Sequence, residues 1–384
     1  MSIKGKAYIV GAYELPIRSA PDKSSALLHA EAAKGALADA GLSLEDVDGY
    51  FCGGDAPGGL FQMPDYLGLS RLRHFDSTDS GGSSYIAHIG HAAESIAAGR
   101  CSVALITLAG RPRHEPPPQR TPAQPHSEFE ASLPAIPLHL YAMCAQRHMY
   151  EYGTTAEQLA AIRVAASQHA QHNPHAVHRD VVTVEDVINS PLVSHPLHRL
   201  DCCVVTDGGG AVVVTTPEIA KSLSRPRLRV LGAGEAYKGQ NGGKDIDLTS
   251  TATVRSARAA FEQAGVSVND IKYASIYDSF TITVLMQLED IGFCRKGDGG
   301  RFVEDGNLVA GVGRLPINTD GGGLCNNHPA NRGGITKIIE AVRQLRGEAI
   351  PAVQIPNCDI ALVHGTGGWL GLRHGSATCV LERV

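Results

Sequence analysis

Residues 33–50 read AKGALADAGLSLEDVDGY, and residues 257–274 read ARAAFEQAGVSVNDIKYA. Ala40-Gly41, Ser43 and Asp46 recur as Ala264-Gly265, Ser267 and Asp270, all at an offset of 224 residues. Each copy predicts an alanine-rich amphipathic helix stopped by a glycine, the residue that tolerates the left-handed backbone just past a helix end. Ser followed three residues later by Asp resembles a capping box with Asp in place of Glu, so one further short helical turn is predicted. Strands are predicted next, at Gly49–Phe51 and Tyr273–Ile276. Others precede the helices, at Ala7–Val10 and Leu228–Leu231.

A second echo lies further along. HAAESIAAGRCSVALIT (91–107) predicts a helix, a glycine and an apolar strand. Residues 334–363 predict a helix (ITKIIEAVRQLRG), a connection and the strand Asp359–Val363. Two βαβα halves in similar order imply a duplicated α/β architecture with layered helices and sheets. The halves are expected at 1–220 and 221–384, the first carrying an insertion at about 111–190. Arg111 to Pro137 is rich in proline (EPPPQRTPAQPH) and fits neither regular helix nor central strand. It serves either as substrate contact or as a solvated surface lid. Helical segments follow around Tyr141–Tyr152 and Thr155–His172, the latter stopped by Asn173-Pro174.

Composition narrows the class. The chain has 384 residues, 43% hydrophobic and 19% charged, which suits a globular protein with a large core. Its formal charge is −5 and it has no long basic run, so nothing favours a nucleic-acid partner. The apolar stretch AYIVGAY (7–13) is too brief for a signal peptide. No segment approaches the ~18 apolar residues of a membrane span. A cytoplasmic location is expected. Nine cysteines are scattered singly apart from Cys202-Cys203, with no CxxC pair, so they read as small buried hydrophobes and not as disulfides or a metal site.

The duplication also marks where chemistry belongs. Gly81-Gly82-Ser83-Ser84 precedes the helix around Ser84–Ala98, and the run from His328 to Gly334 precedes the matching helix. Unpaired amides and the helix dipole at such N-termini favour negative charge. Two such loops facing each other would hold the oxyanion of a thioester carbonyl or an enolate.

Five stretches carry a resemblance: DSGGSS (79–84), LDCCVVTDGGGAVVV (200–214), IYDSF (276–280), GGGLCNNHP (321–329) and HGTGG (364–368). Together, across essentially the whole chain, they resemble the thiolase superfamily. The nearest group is the sterol-carrier-protein-type thiolases and the steroid side-chain aldolases. The resemblance implies a duplicated thiolase fold, layered αβαβα. It implies an acyl-coenzyme A thioester as substrate with no tightly bound cofactor, a homodimer, and a small zinc-ribbon/OB-fold partner protein. The cysteine of the family's CxSG loop falls on Gly82 or Ser83, and no cysteine occurs between Cys52 and Cys101. Tyr277 stands where HDCF or NEAF motifs carry a polarising His or Asn, and the aldolases resemble this chain there. His328 matches the thiolase GHP histidine, where the aldolases have tyrosine. His364 matches the terminal proton-carrying cysteine, as in the sterol-carrier-protein-type enzymes.

In chemical terms, His364 is expected as general acid or base. Tyr277 and His328 would donate hydrogen bonds to a thioester oxygen and stabilise an enolate. Asp278 either joins that site or merely orders its strand end. Ser83 is a substitute nucleophile or a helix cap, and Cys325 is a second candidate nucleophile. The glycine runs at 207–210 and 321–323 permit close backbone approach but do not spell a GxxxxGK[ST] phosphate loop. The expected activity is carbon–carbon bond cleavage or formation of retro-aldol or Claisen type without a cysteine acyl-enzyme. The alternatives are an acyl-CoA acyltransferase with a substitute nucleophile and a non-catalytic acyl-CoA or lipid-binding scaffold.

Overall fold

The computed structural model describes residues 2–115, 137–239, 246–329 and 333–384. Most of the predicted proline-rich stretch, and three residues of the loop after His328, lie outside the described residues. Among the described residues, nine strands form one mixed sheet: β1 (Tyr8–Glu14), β2 (Gly49–Cys52), β3 (His74–Ser77), β4 (Val103–Gly110), β5 (Gly208–Thr215), β6 (Leu228–Lys238), β7 (Tyr273–Ile276), β8 (Ile360–Gly368) and β9 (His374–Arg383). Their spatial order is β3-β2-β4-β5-β1-β6-β9-β8-β7.

Two four-stranded sets with one connectivity are contained in that order. In the first, β2 and β4 are parallel, β4 and β5 antiparallel, β5 and β1 antiparallel. In the second, β7 and β8 are parallel, β8 and β9 antiparallel, β9 and β6 antiparallel. They meet through the antiparallel pairs Tyr8–Arg229 and Ile9–Leu228. The local signals that announced the repeat act alike in both halves. Gly41 (φ 74°) and Gly265 (φ 68°) end helices α1 (Ser25–Ala40) and α6 (Thr253–Ala264) in the left-handed region. Asp46 accepts from the Ser43 amide at 2.8 Å, and Asp270 from the Ser267 amide at 2.7 Å.

Three apolar cores explain five layers. α1 and α2 (Gly59–Leu67) cover the outer face of the first strand set. α3 (Ser84–Ala97) and α8 (Gly334–Arg346) lie in a middle core lined by residues of both sets. α6 and α7 (Thr281–Ile291) cover the outer face of the second set. The insertion's helices, α4 (Pro137–Tyr152) and α5 (Ala156–Ala170), place Tyr141, Ala145, Leu159 and Ile162 in that same outer core, although they lie within the first half in sequence. α8 has no exposed residue in this middle layer, so its Lys337, Glu340 and Gln344 are buried along with its isoleucines. Among the described residues no helix is long and apolar enough to cross a membrane.

Candidate active site

The two glycine-rich loops converge. The N-termini of α3 and α8 approach so closely that a Cβ on Gly334 would lie 2.1 Å from the Gly82 carbonyl oxygen. Tyr277, just past β7, lays its ring over the same spot: a Cβ on Gly82 would lie 2.2 Å from the Tyr277 ring. A side chain at 82 and the Tyr277 ring therefore exclude each other.

Tyr277 meets His328 there. Its hydroxyl is 2.8 Å from Nε2 of His328, and the rings stand edge to face with centroids 5.4 Å apart. Both side chains are buried. Burial pushes the Tyr277 phenol well above its ordinary range, although a hydrogen bond from the Gly333 backbone opposes this. Burial likewise lowers His328 to about 4, with Asp278 opposing and Lys337 reinforcing the shift. Near neutral pH the pair is uncharged. The Tyr277 hydroxyl donates to Nε2 in the Nδ1–H tautomer of His328. The imidazole proton then sits on Nδ1, which has no hydrogen-bond partner among the described residues. The His328 amide donates to Thr206 Oγ1 at 3.0 Å, and that hydroxyl donates to Asn327 at 2.7 Å, so the imidazole's backbone is fixed from β5's approach.

Asp278 is buried directly beneath. Its Oδ1 accepts from the Gly323 amide at 2.9 Å and its Oδ2 from the Leu324 amide at 3.2 Å. Lys337 of α8 completes an ion pair at 2.5 Å. Sequence reasoning alone misses Lys337 and Thr206. The signal for Lys337 is its place on a middle-layer helix, where a lysine must find a buried counter-ion.

His364 does not join this pair. Its backbone carbonyl accepts from the Tyr277 amide at 3.0 Å, but its side chain leaves the strand on the other face. There Nδ1 is 2.8 Å from Thr378 Oγ1 and Nε2 is 3.1 Å from Thr253 Oγ1. Burial lowers it to about 3. The neighbour that faces the site is Gly365, where a Cβ would lie 3.0 Å from the Gly82 carbonyl oxygen. Both imidazole nitrogens are thus held by Thr378 and Thr253, apart from the Tyr277–His328 hydrogen bond. Ser83 lies at the α3 N-terminus, and its hydroxyl donates to the Ser80 carbonyl at 2.7 Å, with Ser80 Oγ at 2.9 Å. Neither partner is a base that would activate it. Cys325 is fully buried, and burial pushes its thiol up to about 12, far from a usable thiolate.

Duplicated strand sets, a shared middle helix layer and paired helix N-termini at a buried polar centre define a thiolase-fold protein. The family described as "Thiolase C-terminal domain-like" matches residues 234–383. An acetyl-CoA acetyltransferase of Methanothermobacter thermautotrophicus is 34% identical, over 88% of this chain and 90% of its own. A 17-hydroxy-3-oxo-4-pregnene-20-carboxyl-CoA lyase of Mycobacterium tuberculosis is 33% identical, over 91% of this chain and 94% of its own. The solved structure of an Ltp2-ChsH2(DUF35) aldolase superposes with a TM-score of 0.89 at 31% identity, covering 99% of this chain and 98% of that one. The chain belongs to the thiolase superfamily, in the group that holds the sterol-carrier-protein-type thiolases and the steroid side-chain aldolases.

Proposed function

We propose that this protein is an acyl-CoA lyase that cleaves the Cα–Cβ bond of a bulky β-hydroxyacyl-CoA by a retro-aldol step. The buried, neutral Tyr277–His328 hydrogen bond carries the reading, and the relatedness to a CoA lyase and an aldolase supports it. The β-hydroxyl proton passes to the Tyr277 oxygen as the Tyr277 proton passes to Nε2 of His328. The alkoxide then collapses to a ketone or aldehyde, and the Cα–Cβ electron pair becomes the thioester enolate. The imidazolium donates through Nδ1 to the enolate oxygen. A group whose conjugate acid is this strong returns its proton readily, through Tyr277, to the enolate carbon. The products are the carbonyl compound and a shortened acyl-CoA, and both residues end neutral. Coenzyme A enters only as part of the substrate, and no tightly bound cofactor is needed.

The test is incubation with β-hydroxyacyl-CoA and β-ketoacyl-CoA of matched bulky acyl groups. Ketone or aldehyde release without added coenzyme A is expected. Chain shortening that requires free coenzyme A, with an acyl adduct on the protein by mass mapping, would instead establish an acyltransferase.

The working assembly we propose is a homodimer with a small second protein, in keeping with the two components, Ltp2 and ChsH2, named for the related aldolase. At one end of the sheet, β7 is closed by Asn318, whose amide bonds both the amide and the carbonyl of Ile276 at 2.9 and 2.8 Å. At the other end β3 is the last strand, flanked by the exposed Phe61, Tyr66 and Phe75. Bare edges of this kind pair with another copy. Phe75→Lys is expected to convert dimer to monomer by light scattering, and an unchanged mass would refute the edge as the interface.

A further inference from the structure

Asp278 ties three segments together. It follows the strand that brings Tyr277. Its oxygens bind the Gly323 and Leu324 amides of the glycine turn that leads to His328, and its ion pair reaches α8 through Lys337. The His328 ring rests on that turn, since a Cβ on Gly323 would lie 3.2 Å from His328 Cδ2. Both members of the ion pair are at most 2% exposed, so water does not substitute for either partner. Removing one alone leaves a buried charge uncompensated, whereas removing both together is often tolerated.

We propose that Lys337 is a positioning residue for the reaction: by clamping Asp278 it fixes strand end and glycine turn at the spacing that the Tyr277–His328 hydrogen bond requires. This rests on the reading of that pair as the reaction centre. The groups that face the pair are Asp278 from the strand end, Lys337 from α8, Tyr141 from α4 and Cys203 from the segment before β5, with Asp320 facing Lys337. Asp278 and Lys337 act on His328 with opposite signs. Loss of the lysine alone therefore leaves His328 beside a lone carboxylate and easier to protonate.

The experiment compares Lys337→Met, Lys337→Arg and the double variant Lys337→Met/Asp278→Asn in the β-hydroxyacyl-CoA assay, as kcat and KM against pH. For Lys337→Met, kcat is expected to fall at least about tenfold with KM within about threefold. Its acid limb should move up by about one pH unit. Lys337→Arg, which keeps the charge, should recover most of kcat. The double variant should return the limb to its original pH because both charges leave together, while kcat stays low. An unmoved limb in Lys337→Met, or no recovery with arginine, overturns the proposal. If Lys337→Met does not fold, full activity of the double variant overturns it instead. Tyr277→Phe separates the two readings: if it is inactive while Lys337→Met is normal, only the role of Lys337 is refuted. If Tyr277→Phe is itself fully active, the reaction centre and this role fall together.

Discussion

Tyr277→Phe is expected to lower kcat by about 100- to 10,000-fold, the range for losing a positioned proton-transfer group, with KM little changed. The substitution keeps the ring that packs over Gly82 and removes only the hydroxyl that is 2.8 Å from His328. It leaves Nε2 without its partner, which costs about 1–3 kcal/mol of stability. That is small beside the expected loss of rate. The measurement is carbonyl release from β-hydroxyacyl-CoA by wild type and variant under saturating substrate, with thermal melts as a check on folding. A rate within about threefold of wild type would remove Tyr277 from the proton path. A cysteine introduced at position 82 would not be a simple addition, because its Cβ would collide with the Tyr277 ring. Tyrosine at 277 and a nucleophile at 82 are alternative ways of filling one volume.

The fold is legible in the sequence because its signals are local. A glycine C′ residue and a Ser/Asp capping box act within a few residues, and both survive duplication at 41, 43 and 46 and again at 265, 267 and 270. The meeting of Tyr277 with His328 is legible because the first lies at a strand end and the second in a glycine-rich loop, and the two halves bring these together. His364 is not, because the question there is parity. Successive residues of a strand face opposite sides, so a motif that locates a residue to within one position does not say which side it serves. The pattern does hold an answer: glycine at 365 and 367 marks the face where the 80–83 turn comes close, and His364 and Thr366 occupy the other. Lys337 escapes for a different reason. On an amphipathic helix a lysine reads as solvated, and only its place in the middle layer between the two strand sets buries it.

Acid is expected to unfold this protein well above the pH at which carboxylates alone would matter. Burial is the leading cause that lowers His29, His169 and His328 to about 4 and His88, His364 and His374 to about 3, and all six are at most 5% exposed. In the unfolded chain each takes up a proton near pH 6.5. Below that value the unfolded state binds protons that the folded state refuses. The stability these residues allow is thus complete above about pH 6.5 and lost as the pH falls towards 4 and 3. At pH 5 each contributes on the order of 2 kcal/mol to unfolding, and several together approach the 5–15 kcal/mol that typically holds a fold. His91 runs the other way: hydrogen bonds to Asp76 and Glu235 raise it to about 10, so its contribution is full below about pH 6.5 and lost progressively as pH rises from there through about 10. The melting temperature should therefore drop by on the order of 10 °C or more between pH 7.5 and 5.5. His374, whose ring nitrogens have no hydrogen-bond partner among the described residues, isolates the effect. His374→Leu should melt higher than wild type at pH 5.5 by more than it does at pH 7.5, because one titrating group has left. Equal differences at the two pH values, or a flat wild-type melting curve across the range, would show that these imidazoles accept protons inside the fold.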